Sequence, residues 1–111
     1  MSISWNDFEK IDIRAGTIIE VKDFPKAKKP SYQLLIDFGE ELGVKRSSAQ
    51  ITAHYSTTEL VNRQVIAVIN FPPKQIADFV SECLVLGVYD ENNNVVLLAP
   101  GKLVKNGCRI G

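Results

Sequence analysis

The sequence predicts an all-β fold, a five-stranded barrel with short helical insertions and terminal extensions. Three observations carry this expectation. Short runs of β-forming residues recur along the chain, and Gly, Pro, Asn and Asp turn signals separate them at close intervals. The first run is long and carries a glycine in its middle, a device that lets one strand serve two parts of a barrel.

That first run extends from Ile11 to Val21. Ile11, Ile13, Ala15, Thr17, Ile19 and Val21 share one face, and Asp12, Arg14, Gly16, Glu20 and Lys22 share the other, with Ile18 out of step. The pattern predicts a strand wet on one side, bulged or bent at Gly16. A helical turn is expected before it, with Ser4 or Asn6 as N-cap and Asp7 and Glu9 in the first turn. Residues 22–31, with two prolines and four lysines, read as a surface loop. Leu34, Ile36 and Phe38 mark one face of a second strand, Gly39 to Gly43 a turn, and Val44 to Ala49 a third strand. The polar stretch Ile51 to Leu60 reads as one or two short helical turns. Gln64 to Phe71 is rich in β-branched residues on both faces and predicts a buried strand that stops at Pro72-Pro73. Leu84–Tyr89 and Val95–Leu98 read as two strands joined by a turn at Asp90–Asn94, and Asn106-Gly107 marks a last turn. A long bent first strand and a helical insert between strands three and four favour an OB-type barrel over a sandwich.

Composition bounds the rest. At 111 residues and 12.3 kDa, residues 1–111 read as one domain, burying about two-thirds of the surface of the unfolded chain. Thirteen basic and thirteen acidic residues give no net formal charge, which argues against a sequence-blind nucleic-acid binder. No apolar run is long enough to span a bilayer, and the N-terminal segment lacks the pattern of a secretory leader, so no membrane insertion is expected. Cys83 and Cys108 lie far apart without a CxxC spacing, so both are expected as reduced thiols of a cytoplasmic protein.

Catalytic signals are weak. His54 is the only histidine and reads as a surface residue. No triad spacing, metal-ligand set or phosphate loop is present, and Gly39-Glu40-Glu41-Leu42-Gly43 is too acidic for phosphate. Neither enzyme activity nor a metal or cofactor is expected. Binding signals are stronger. Lys26, Lys28 and Lys29 form a basic loop, and Lys45-Arg46 adds charge on a strand. Asn70-Phe71-Pro72-Pro73-Lys74 would present a rigid, partly apolar surface at the barrel rim, where an amide could read a peptide or a base edge. Trp5 and Phe8 near one end, with Leu103, Val104 and Ile110 near the other, could form an isologous dimer surface.

These residues assemble into a family pattern. Asp12-Ile13-Arg14-Ala15-Gly16-Thr17-Ile18 resembles the D-I-R-x-G-x-I opening of tRNA-binding OB domains, found free-standing and appended to tRNA synthetases. Asn70-Phe71-Pro72-Pro73-Lys74 and Ser81-Glu82 match later segments of that family, and Ile36-Asp37-Phe38-Gly39, Ser47–Thr52 and Ser81–Gly87 are similar to its secretion-related chaperone branch. The resemblance implies a cytoplasmic homodimer that binds unfolded preproteins or peptides without ATP and assists export, with an export translocase component as a further partner. It also implies some capacity for tRNA, the alternative ligand; a dimerisation module without a client is the third reading. Carried over position by position, the ligand-facing residues are Arg46, Ser48, Gln50, Asn70, Phe71, Lys74, Ser81 and Glu82.

Two departures bear on the ligand. Where the family's loop has H-P-x-A-D-K-L, this chain reads Phe24-Pro25-Lys26-Ala27-Lys28-Lys29-Pro30, and where a glycine is common before Phe79 it has Asp78. An acid there opposes phosphate. With balanced charge, and with Phe24, Phe71 and the prolines as exposed apolar area, the sequence favours peptide over RNA.

Overall fold

In the computed structural model, which describes residues 1–111, the first strand is bonded to different partners along its length. β1 (Ile13–Asp23) pairs through Ile13–Thr17 with β4 (Gln64–Val68) and through Thr17–Asp23 with β2 (Tyr32–Asp37), both antiparallel. β2 pairs in turn with β3 (Val44–Ala49), and β4 with β7 (Leu84–Val85), giving the order β3-β2-β1-β4-β7. The barrel is nearly closed. The seam between β3 and β7 is bridged by the Glu82 N–H donating to the Arg46 carbonyl at 2.8 Å and the Ser47 hydroxyl donating to the Cys83 carbonyl at 3.0 Å. Two hairpins lie outside this sheet: β5 (Lys74–Ile76) with β6 (Phe79–Ser81), and β8 (Gly87–Tyr89) with β9 (Val95–Leu97). The helices are short, α1 (Trp5–Glu9) and α2 (Thr57–Leu60).

Each helix is started by a capping box: Ser4 with Asp7, and Ser56 with Glu59. The core follows the strand alternation. Leu34 and Ile36 of β2 meet Ile18, Phe38, Leu60 and Val65, all fully buried. Burying each such side chain favours folding by about 1.5–3 kcal/mol. β4 is buried on both faces, as its β-branched run predicts.

The long first strand departs from its expected facing. It starts at Ile13, two residues later than the period-two pattern suggests, and its register shifts between Ile18 and Glu20. The bulge therefore sits at Ile19, not at Gly16, and it exchanges the two isoleucines: Ile18 is wholly buried and Ile19 is 43% exposed. Gly16 serves another purpose. A Cβ there would stand 2.7 Å from the Phe38 ring and 2.8 Å from Ile36, so glycine lets the two strands pack.

Four further expectations change. The fourth strand ends at Val68, short of Phe71, because Ile69 and Asn70 turn to bond with Asp12. Leu84–Tyr89 is not one strand but two, β7 in the barrel and β8 in a hairpin. The β5–β6 hairpin is not visible in the sequence reading; its tip, Ala77-Asp78, carries no glycine although Ala77 has φ of 52°. Phe24 is 4% exposed, not surface apolar area, because its ring packs edge-on against Phe79 at 5.5 Å.

Both cysteines are free thiols, Cys83 buried and Cys108 exposed. Burial pushes the Cys83 thiol up to about 11. The native protein at pH 8 is expected to react with one equivalent of a thiol reagent, at Cys108, and with two after denaturation. Gly16→Ala is expected to destabilise by about 1–3 kcal/mol through overpacking, whereas Gly101→Ala, with open space at its Cβ, should stay within about 0.5 kcal/mol. Urea denaturation midpoints at unchanged slope check both.

Candidate functional site

The sequence-predicted binding residues gather around the β5–β6 hairpin. The proline pair stops the chain after Asn70 and delivers Phe71, half exposed, to the rim. The hairpin then folds back so that β6 lies beside β3. Between them opens a groove of about 300 Å³. Phe71, Pro72, Ile76 and Leu84 form its apolar wall, and Ser48, Gln50, Lys74, Ser81 and Glu82 its polar one. Six of the eight residues singled out from the sequence line this one groove.

Ser81 and Glu82 also seal the β3 edge. The Ser48 N–H donates to Ser81 Oγ at 3.1 Å, and the Arg46 N–H donates to Glu82 Oε1 at 2.9 Å. Side-chain oxygens here take the place of a neighbouring strand's carbonyls. The Arg46 Nε lies 3.5 Å from the same carboxylate, and its guanidinium sits 5.6 Å from the centre of the Phe79 ring. Arg46 does not line the groove. It stands on the other side of the Glu82 clasp, over a shallower groove of about 230 Å³ bordered by Glu20, Lys22, Gln33, Leu35 and Phe79.

Asn70 is not brought to the groove. Its Nδ2 donates to the Lys10 carbonyl at 2.7 Å and its Oδ1 accepts from the Asp12 N–H at 2.9 Å. Both halves of the amide hold the chain's N-terminal segment. Gln64 does the same for the other end: its Nε2 donates to the Val104 carbonyl at 2.6 Å and its Oε1 accepts from the Val104 N–H at 3.1 Å. Gln64 is a structural residue that sequence reasoning passed over; its only signal is a polar residue opening an apolar strand.

The basic loop faces the hairpin tip. Lys26 Nζ meets Asp78 Oδ2 at 2.8 Å, whereas Lys28 and Lys29 are exposed without an ion pair. The hydrogen bond from Lys26 holds the Asp78 carboxyl below the usual carboxylate range, and Asp78 holds Lys26 above the usual lysine range. At the chain ends, Trp5 is 85% and Leu103 86% exposed, Val104 is exposed, and Phe8 and Ile110 are half-buried. The C-terminal segment is laid along β1: Ala15 bonds to Gly107 and Cys108, Ile110 to Ile13, and the Arg109 guanidinium to the Glu9 carbonyl at 3.0 Å. His54 is exposed and contacts Asp90 at 2.7 Å. A further groove, about 850 Å³ between the β2–β3 turn and residues 105–108, holds none of the predicted binding residues.

Comparison with known proteins places this geometry in context. Residues 13–109 match the family described as "Putative tRNA binding domain". The chain is similar to the crystal structure of the CsaA chaperone protein from Picrophilus torridus, with 54% identity, a TM-score of 0.93, and coverage of 99% of this chain and 100% of that one. It is also similar to the chaperone CsaA from Bacillus anthracis, with 46% identity, a TM-score of 0.94 and both chains covered completely. The methionine–tRNA ligase of Pyrococcus abyssi is 39% identical over 110 residues, which cover 99% of this chain and 15% of the enzyme. The chain thus spans about one-seventh of the length of such curated relatives.

Because Asn70 is a clasp, Asn70→Ala should destabilise the fold by about 0.5–1.5 kcal/mol, through loss of its two exposed hydrogen bonds to the N-terminal segment. Affinity for any ligand of the hairpin groove should stay within about twofold of the unsubstituted chain. Chemical denaturation and titration on the same variant check both halves.

Proposed function

We propose, for a chain that belongs to the tRNA-binding-domain family, that it is an ATP-independent chaperone which binds unfolded polypeptide at the β5–β6 groove. The observation that carries this reading is the composition of the groove. Phe71, Pro72, Ile76 and Leu84 offer apolar area with few directional demands, and Ser48, Gln50 and Lys74 rim it with groups that can meet a peptide backbone. Such a site suits extended chains of varied sequence. The charge balance of the molecule supports the same ligand, since nothing in it draws polyanions from a distance.

The cellular role that fits is assistance of preprotein export from the cytoplasm, with an export translocase component receiving the client. Free thiols are in keeping with a reducing compartment, and no helix is long and apolar enough to cross a membrane. The functional unit is a homodimer built from the two chain ends, where Trp5, Leu103 and Val104 leave large apolar side chains in water beside the half-buried Phe8 and Ile110. The second reading, tRNA binding through the same rim, is favoured by the family match and by Lys28, Lys29, Lys45 and Lys74, which stand without carboxylate partners.

Fluorescence anisotropy against a labelled unfolded preprotein segment and labelled tRNA, each across a salt series, tests the choice. Polypeptide binding in about the micromolar range that barely responds to salt is expected; binding of tRNA alone, falling steeply with salt, would make this an RNA-binding protein. Phe71→Ala should weaken polypeptide binding about tenfold. Lys28→Glu with Lys29→Glu, both outside the groove, should weaken RNA binding and leave aggregation suppression largely intact.

A further inference from the structure

Three cations that border the β1–β2–β3 face are paired. Lys22 lies 3.3 Å from Glu20, Lys26 2.8 Å from Asp78, and Arg46 3.5 Å from Glu82. Glu20, Lys22 and Arg46 border the groove beside Phe79, and the second pair joins the basic loop to the hairpin tip one residue before Phe79. On this face three of the cations are therefore each neutralised by a neighbouring acid.

Exposed pairs of this kind add little to folding, so stability does not explain them. Their effect is on the surface potential. A carboxylate in contact with an ammonium leaves the pair little net charge, which weakens its attraction for a phosphate that comes within the Debye length of about 8 Å. The tip that presents Asp78 holds Ala77 at φ of 52°, a conformation L side chains avoid, and the Gln75 Nε2 fixes the Ala77 carbonyl at 2.8 Å.

We propose that Glu20 and Asp78 are specificity determinants which, by pairing Lys22 and Lys26, suppress polyanion binding on the face beside the β5–β6 groove and leave that groove to polypeptides. The statement about polypeptides rests on the functional reading above; the statement about polyanions does not. Glu82 belongs to the same charge pattern but seals the β3 edge, so it is unsuited to a test by substitution.

The full chain carrying Glu20→Gln and Asp78→Asn is compared with a charge-matched control, Glu40→Gln with Glu91→Gln, both acids exposed and outside any ion pair. Labelled tRNA and a labelled unfolded preprotein segment are titrated across a salt series. The face variant is expected to bind tRNA about fivefold or more tightly at low salt, with a log–log salt slope steeper by about 0.7–0.9 per released lysine. The control should change by less than about twofold, and adding Lys22→Ala and Lys26→Ala should erase the gain. Equal gains in both variants would attribute the effect to total charge, and no gain would show that the pairs do not screen the face; either overturns the proposal. Asp78→Asn alone, with about half the slope change, serves if the double variant unfolds. Absence of polypeptide binding in the unsubstituted chain would remove the functional reading while the tRNA comparison still decides the role of the two acids.

Discussion

The structure depends on β1 being bonded along both edges by segments that are far apart in sequence. On one edge stand β4 and then residues 62–63, whose backbone groups bond to Ile18; on the other stand the C-terminal segment and then β2. A strand left open on either edge would expose a ladder of unpaired amides. The motif Asp12-Ile13-Arg14-Ala15-Gly16 supplies what this arrangement needs. Asp12 and Arg14 pair at 2.6 Å, and Arg14 reaches the Gly107 carbonyl at 3.0 Å. The hydrogen bond to Asp12 holds the guanidinium above its ordinary range. Gly16 makes room for Phe38, so the second strand can cross where the first changes partners. Gly107, at φ of 93°, comes so close to the Phe38 carbonyl that a Cβ would stand 2.7 Å away.

The same constraint separates structure from function among the polar residues. Asn70 and Gln64, at the two ends of the β4 region, each spend a side-chain amide on holding a chain terminus against the barrel. Ser81 and Glu82 are spent in part on the β3 edge. What remains available to a ligand is a small set: the apolar rim at Phe71, Pro72, Ile76 and Leu84, the Gln50 amide and the Lys74 ammonium. A surface of this kind offers little shape for discrimination, so charge at its flank would weigh more in any choice of ligand.

Strand identity along β2, β3 and β4, the turns at Gly39–Gly43 and Asn106-Gly107, and the start of α1, narrowed to Ser4 or Asn6 and found at Ser4, were legible in the sequence. Each depends on local alternation, a positive backbone angle or a capping geometry. The resemblance also pointed to the groove, because six of its lining residues lie in short segments with recognisable motifs. Local pattern failed where tertiary contact overrode it. Ile18 and Ile19 are the same residue type, and only the pairing of Glu20 with Leu35 decides which enters the core. Phe24, in a loop of lysines and prolines, looks exposed until Phe79 arrives across it.

The sequence by itself therefore determined the fold class, the family and the residues from which a binding surface could be drawn, because these follow from periodicity, turn chemistry and short motifs. Only the tertiary structure decided which of those residues are free to bind. In the sequence Asn70 reads as a candidate binding residue and Asn106 as part of a turn. In the fold the first is bonded to Lys10 and Asp12, and the second accepts from the Thr17 hydroxyl at 2.7 Å. A polar side chain acts on a ligand only when the backbone around it has left its donors and acceptors unspent, and that is settled by contacts between segments distant in the chain.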